Sequence, residues 1–311
     1  MIMSIPMLKA IKIANPHSEL GVICWDRSYN LINEQPFIDF CISTDKKYTG
    51  NNFWNPDNLI ISFVGAIPSI VDTISFKVKN IHRLSEKVPP YTKHESEYKM
   101  GFARELGYNG DIPNCLVDLN ENNVLEANSI IQANKLLNSP FICINASYLK
   151  TDHWHYKHWG NNNYTQLINK ISETHSDIEF VFLGLKEDWQ DAHEIIQNSL
   201  VKERCINSCG HIKDIKTLAA LIKKSKCLIG NDSGLSHLAA SIDTFNITIF
   251  RFTNIVKNHP LGDKSFIVAK DCDERIMCQH DVKNIESKCS KSGCLNIDVD
   301  KVIGVFNKIY A

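Results

Sequence analysis

Residues 227–250, CLIGNDSGLSHLAASIDTFNITIF, decide the fold. The apolar run Cys227–Gly230 reads as a strand buried on both faces, and it ends in the polar, small-residue turn Asn231-Asp232-Ser233-Gly234. A helix is expected over Leu235–Ile242 and a second buried strand over Ile247–Phe250. Strand, tight turn, helix and strand form the repeating unit of a parallel α/β sheet. The turn falls at a strand's carboxyl end and a helix's amino end, where ligands bind in such sheets. Unpaired N–H groups and the positive end of the helix dipole favour a phosphate or diphosphate there. Ser233 adds a hydroxyl donor, Gly234 lets a ligand approach the backbone closely, and His237 lies three residues past Gly234 on a nearby face. A helix capped by Asp232 or Ser233, with no ligand at all, fits these residues equally well.

The same alternation extends outward. Strands are expected at Leu20–Trp25, Phe37–Ile42 and Leu59–Val64, then at Phe141–Asn145 and Phe180–Leu183. Between them lie helical patterns: Pro6–Ala14, His94–Leu106, Glu121–Leu137, Tyr164–Thr174, Ala192–Ser199 and Ile215–Lys224, with a last one at Val299–Ile309. A length of 311 residues fits two domains, or one large one. The break is expected near Leu137–Pro140, giving residues 1–138 and 139–311. Two such sheets facing each other would place a ligand cleft between their carboxyl ends.

Composition narrows the function. Hydrophobic residues make up 43% and charged residues 22%, which excludes a disordered or fibrous chain. The formal net charge of -1 offers no global basic field, so a nucleic-acid partner is not expected. No apolar run is long enough to span a bilayer, Leu59–Val71 being the longest, and the segment MIMSIPMLKAIK lacks the order of a signal peptide. Eleven cysteines, several inside apolar runs such as FICIN, read as buried thiols of a reducing compartment. No G-x-G-x-x-G follows any strand, which disfavours an NAD-dependent enzyme.

The stretch NDSGLSHLAAS, with the strand before it and NITIF after it, resembles the D-[ST]-G-x-x-H-[LI]-A-A signature of glycosyltransferase family 9, the ADP-heptose:lipopolysaccharide heptosyltransferase group. The likeness runs on through INSCGHIKDIKTLAALIKKSKCLIGNDSG, FICINASYLKTDHWHYKHWGNNNYTQLINKI and IEFVFLGLKEDWQDAHEII. It continues more loosely through MIMSIPMLKAIKIANP, GVICW and FIDFCI, so that it covers nearly the whole chain. The resemblance implies a GT-B fold: two Rossmann-like domains with parallel sheets around a central cleft, an acceptor-side first domain and a donor-binding second one. It implies an inverting transfer from a nucleotide diphosphate sugar, heptose by analogy, to a lipopolysaccharide core-type acceptor, lipid-linked or oligosaccharide, with no metal and no cofactor. It implies a cytoplasmic protein, peripheral at most at the inner face of the membrane.

Carried over residue by residue, the resemblance assigns Asp232, Ser233, Gly234 and His237 to the donor. It assigns Ser147 to donor phosphate, and Ile212 or Lys213 to an adenine pocket. The family places a lysine a few residues after the Ser147 position, to neutralise the leaving diphosphate. Asp152 aligns there, and Lys150, two positions away, is the candidate substitute. The family's first strand ends in Gly-Asp ahead of the helix matched by Met1–Lys12, and that Asp is the expected general base toward the acceptor hydroxyl. Strand and base are therefore expected ahead of Met1, with Met1 or Met3 a false start or the gene shortened. A chain without them is expected to bind a nucleotide sugar with impaired transfer.

Weaker patterns have plainer readings. His153, His155 and His158, beside Trp154 and Trp159, have a spacing that can hold zinc, but the supporting ligands are few. Cys272, Cys278, Cys289 and Cys294 lack a paired C-x-x-C and read as reduced thiols in a polar loop, with a structural metal or disulfide as the lesser reading. The lysines at 223, 224 and 226, and those at 283, 288 and 291, read as solvated charge.

Overall fold

The computed structural model describes residues 1–44, 57–61, 80–83, 92–148, 150, 152–271, 293 and 295–310. The chain forms two compact units, Met1–Cys115 and Leu116–Ala311. Among the described residues no helix is long and apolar enough to cross a membrane.

The first unit opens with the helix Ile5–Ala14, started by Pro6 in its first turn, where a missing N–H costs nothing. Its buried Ile5, Leu8 and Ile11, three residues apart, form one apolar face, and it packs on the helix Glu95–Glu105. Lys99 Nζ donates to Ser4 Oγ at 2.9 Å and Ser96 Oγ to the Met3 carbonyl at 2.8 Å, tying the two helices at their starts. Strand β1 (Gly21–Cys24) pairs in parallel with β2 (Phe40–Ser43), and β3 (Asn58–Ile61) with β4 (Asn80–Arg83). Residues 62–71 of the longest apolar run lie outside the described residues, as do Cys272, Cys278, Cys289 and Cys294 and the lysines at 283, 288 and 291.

The second unit is a single parallel sheet. Its strands are β5 (Phe141–Asn145), β6 (Glu179–Phe182), β7 (Cys205–Asn207), β8 (Leu228–Asn231), β9 (Asn246–Phe250) and β10 (Ser265–Ala269). Their spatial order is β10-β9-β8-β5-β6-β7. Counting β5 as first, this is the 3-2-1-4-5-6 order of a doubly wound dinucleotide-binding sheet, whose order reverses between β5 and β8. Every residue of β5, β8 and β9 is buried, as expected for central strands covered on both faces. Ile142, Ile144, Phe180, Phe182, Ile229 and Ile249 form the core with Leu167, Ile168 and Ile171 from the helix Asn161–Thr174 and Phe306 from the helix Val299–Tyr310. β7 and β10, which the sequence pattern does not pick out, are the two edges; they are short or only half-buried and carry no long apolar run.

The helix Glu121–Ala133 precedes Leu137–Pro140, yet it packs with the second unit against the helix Ile215–Lys224. Polar contacts seal that packing: Thr217 Oγ1 donates to Glu126 Oε2 at 2.6 Å, and Asn123 Nδ2 to Asp214 Oδ1 at 3.3 Å. Asp214 also caps its own helix, accepting from Thr217 N at 2.8 Å, while Lys223 and Lys224 sit in the last turn, where the helix dipole favours them.

Candidate functional site

β8 ends in Asn231, whose fully buried amide joins the two central strands. Its Nδ2 donates to the carbonyls of Ala146 (3.0 Å) and Ser147 (3.1 Å), in the loop leaving β5. Its Oδ1 accepts from the Trp159 N–H at 3.1 Å and lies 2.9 Å from the Tyr164 hydroxyl. All the bonding capacity of the side chain is used. Tyr164 is wholly buried, which pushes its phenol well above the usual range. Trp159 Nε1 reaches the Ile297 carbonyl at 2.8 Å, carrying the network to the segment before the last helix.

Two residues on, the pattern reverses. Ser233 is the residue before the helix Gly234–Ser241 but gives it no side-chain cap, and its Oγ is buried without a hydrogen-bond partner among the described residues. Gly234, at the first helical position, is exposed, and a Cβ built on it meets nothing within 4 Å. The helix start is thus open, with a hydroxyl, backbone N–H groups and dipole available to an anion. Ala239 and Ala240 are buried, so the helix lies close against the sheet, and Ser236 Oγ donates to the Asn231 carbonyl at 3.2 Å. His237 lies in this helix, half-buried.

Asp232 sits between these two regimes. Its carboxylate is buried; Oδ2 lies 2.8 Å from Lys157 Nζ and accepts from Thr253 Oγ1 at 2.7 Å. Lys157 closes the short turn Asp152–Lys157, with its Nζ 5.0 Å from the centre of the Trp154 ring. Arg251, just past β9, grips that turn: its Nη1 donates to the carbonyls of Tyr156 (3.2 Å) and His158, and its Nε to the Leu295 carbonyl (2.8 Å). Phe252 packs against Trp154 and Tyr156.

On the other side of β5, Ser147 turns its hydroxyl toward the exit of β6. The Oγ is 3.4 Å from the Leu183 carbonyl and bonds to the Asp188 carboxylate. Burial raises Asp188, although bonds from the Leu185 N–H (2.7 Å) and Ser147 oppose the shift. Gly184 fits between them; a Cβ there would lie 2.5 Å from Ser147 Oγ. Lys150 lies on this side as well. Its Nζ is 2.8 Å from Asp191 Oδ2 and 3.1 Å from the Glu187 carbonyl, and the Asp191 bond holds its pKa above the usual lysine value. His158 stacks on Tyr148 with ring centres 4.2 Å apart, and its burial lowers the imidazole.

The residues singled out in the sequence therefore divide. Asp232, Ser233, Gly234 and His237 share the end of β8, and the Asn231 amide brings the Ser147 backbone to them. Half-buried Ile212 and exposed Lys213 follow β7, two strands beyond β5 in the sheet. Asn231, Lys157, Thr253 and Arg251 are additions. The first stands beside the signature and reads as part of its turn; the others come together only in three dimensions. Among the described residues no three His, Cys, Asp or Glu side chains converge as a metal-holding group. The side chains of Asp152 and His153 lie outside the described set.

A family model for glycosyltransferase family 9 (heptosyltransferase) matches residues 85–288. Among solved structures, the glycosyl transferase family 9 protein from Veillonella parvula DSM 2008 superposes with a TM-score of 0.79 at 17% identity, covering 99% of this chain and 93% of that one. E. coli ADP-heptose lps heptosyltransferase II gives 0.73 at 15% identity, over 99% and 94%. E. coli heptosyltransferase WaaC, solved with ADP-2-deoxy-2-fluoro heptose, gives 0.65 at 15% identity, over 99% and 95%. No curated protein matches the chain by sequence. At these identities the likeness is one of fold, the α/β architecture of GT-B-like family 9 structures.

Proposed function

The chain belongs to glycosyltransferase family 9 and is a glycosyltransferase of heptosyltransferase type, and from that premise we propose that it moves a heptose from an ADP-sugar donor to a lipopolysaccharide core-type acceptor, with inversion and without a metal. The observation that carries the donor reading is the open amino end of the helix Gly234–Ser241, with the buried, unpartnered Ser233 hydroxyl, at the point where the sheet order reverses. The donor diphosphate lies on that helix end, against Ser233 and Gly234. Its nucleoside extends over the ends of β5, β6 and β7, past Ser147 toward Ile212 and Lys213. His237 contacts the donor from within the helix. The second unit, continuing to the chain's end, is the donor-binding domain, and the first serves the acceptor. That structural neighbours were solved with ADP-heptose analogues supports adenine as the base.

In the reaction the acceptor hydroxyl oxygen bonds to the anomeric carbon from the face opposite the diphosphate. The bond between that carbon and the phosphate oxygen breaks, and its electron pair leaves with ADP. The hydroxyl proton passes to a general base, a role to which no residue of this chain is assigned. Free thiols at Cys143 and Cys209, pushed up to about 12 by burial, and at Cys227, also raised by burial, fit a reducing compartment, and a lipid-borne acceptor fits peripheral work at a membrane face.

The test is transfer from ADP-heptose to a truncated lipopolysaccharide core, followed by mass spectrometry and by NMR of the new anomeric proton, with and without EDTA. The expected result is a heptosylated core of inverted configuration and an undiminished rate in the chelator. Retained configuration, or loss of transfer in EDTA, overturns the mechanism; a wild-type protein that binds no ADP overturns the donor reading.

A further inference from the structure

Cys24 closes β1 and Cys41 is the second residue of β2. The two strands pair in parallel with Val22 opposite Cys41 and Cys24 opposite Ser43. Side chains alternate along a strand, so Cys24 and Cys41 lie diagonally on one face of the pair. Their sulfurs are 3.7 Å apart, a contact in which one thiol donates to the other. Cys24 is buried and Cys41 half-buried.

The thiolate is the nucleophile of cysteine chemistry, and the surroundings of the sulfur decide how much of it forms. When one member of this pair loses its proton, the remaining S–H points at the charge and holds it. The charge settles on Cys41, the sulfur that water reaches. The Cys24 thiol, helped by a bond from the Ile42 backbone, holds Cys41 below the usual thiol value, although burial opposes the shift. Cys24 rises, because it keeps the shared proton and is buried. The other described cysteines lack such a partner thiol in hydrogen-bond contact. Cys115, Cys143, Cys209 and Cys227 are buried, and burial pushes each of them up. Cys205 is half-buried but also raised by burial, and its S–H donates to the Val201 carbonyl at 3.4 Å.

The register fixes what Cys24 does. Neighbouring strands lie about 4.8 Å apart and two residues advance about 6.6 Å, which puts the two Cα atoms about 8 Å apart. Cysteines whose Cα atoms are more than about 7 Å apart are bridged only if the backbone moves. Cys24 is therefore placed to donate to the Cys41 sulfur, not to close a disulfide with it.

We propose that Cys41 is a site of reversible S-thiolation by a small-molecule disulfide of the glutathione class, with Cys24 as the hydrogen-bond donor that prepares it. The Cys41 thiolate attacks one sulfur of the small disulfide. A new S–S bond forms to Cys41, the old S–S bond breaks, and its electron pair leaves with the second sulfur, which takes a proton from water. One disulfide is consumed and one is made, so no other oxidant enters, and excess reduced thiol drives the exchange back. Cys24 is a positioning residue, acting through Cys41. The inference is independent of the donor and acceptor readings.

The experiment exposes the folded full chain, as wild type, Cys24→Ala and Cys24→Ser, to glutathione disulfide. Mass spectrometry of unreduced peptides follows each cysteine separately over time and across a range of pH. The expected result is that Cys41 gains glutathione about tenfold faster than the other described cysteines. Cys24→Ala should slow it several-fold and move the midpoint of its rate-against-pH curve upward, and Cys24→Ser, which keeps a donor, should restore most of both. A Cys41 that reacts no faster than the buried thiols overturns the inference. So does a rate and midpoint that Cys24→Ala leaves unchanged, or a Cys24–Cys41 disulfide recovered in place of the glutathione adduct. If the alanine variant does not fold, the wild-type midpoint decides: below the ordinary thiol value of about 8.5 supports the inference, and at or above it overturns it.

Discussion

At Gly230 an added Cβ would lie 2.6 Å from the Asn145 carbonyl oxygen and 2.7 Å from the Asn145 Cβ, whereas at Gly234, four residues on, it would meet nothing within 4 Å. The side chains between them follow the same division. Asn231 has every polar atom engaged; Ser233 has a buried oxygen with no partner. The end of strand β8 is finished structure, in which two neighbouring strands touch backbone to backbone and a single amide sews their loops together. The start of the following helix is unfinished, and its empty valences lie at the reversal point of a doubly wound sheet. Within one run of five residues, saturation marks what the fold needs and vacancy marks what a ligand can use. Gly230 and Gly234 look alike in the sequence, but the first is packed against a neighbouring strand and the second opens onto free space.

Asn231→Leu gives the largest expected effect. It strands the Ala146 and Ser147 carbonyls and the Trp159 N–H, and leaves the Tyr164 hydroxyl with one neighbour fewer. Each buried group left unpaired costs about 1–3 kcal/mol, so the unfolding free energy in a denaturant titration should fall by about 3 kcal/mol or more. A loss below about 1 kcal/mol would mean that the staple is not structural. Gly230→Ala comes next. The clash is with backbone and Cβ in the middle of the sheet, neither of which can rotate aside, and overpacking of this kind costs about 1–3 kcal/mol. A variant as stable as wild type would break the distinction between the two glycines from the structural side.

Much of this was legible in the sequence because central parallel strands are buried on both faces. FICIN, IEFVF, CLIGN and NITIF read as continuous apolar runs, and the polar turn after CLIGN announces a carboxyl-end loop. Edge strands face water on one side and lose that signature, which is why β7 and β10 emerge only from their pairing. β4 is a four-residue strand, NIHR, in which apolar and polar residues mix. The site was half legible for a related reason. Local chemistry, a hydroxyl and a glycine before a helix, can be read along the chain. The partner of Asp232 cannot: Lys157 lies 75 positions upstream and Thr253 follows a different strand, so both meet it only because β5, β8 and β9 are neighbours. Lys150 is closer in sequence to the expected cation position but is drawn to Asp191, a residue whose place depends on how the next helix packs.

The smallest expected effect on stability belongs to Gly234→Ala, and it is the sharpest probe of the open half of the comparison. The methyl group has free space around it, Gly234 is not among the glycines of positive φ, and alanine is the better helix former. Stability should therefore stay within about 0.5 kcal/mol of wild type. If the donor diphosphate rests against this helix end, the same methyl group stands where phosphate oxygens approach the backbone, and ADP affinity should drop by about tenfold, or 1.4 kcal/mol. Melting curves and ADP titrations on one preparation separate the two quantities. A variant that melts like wild type and binds ADP poorly identifies the vacancy as a binding surface. One that melts like wild type and binds ADP equally well leaves the helix start merely uncapped and moves the donor elsewhere on the sheet. Ser233→Ala provides a check on the first outcome, because it removes a hydroxyl that bonds to no other group among the described residues; the described fold loses no hydrogen bond with it, and a loss of ADP affinity belongs to the ligand.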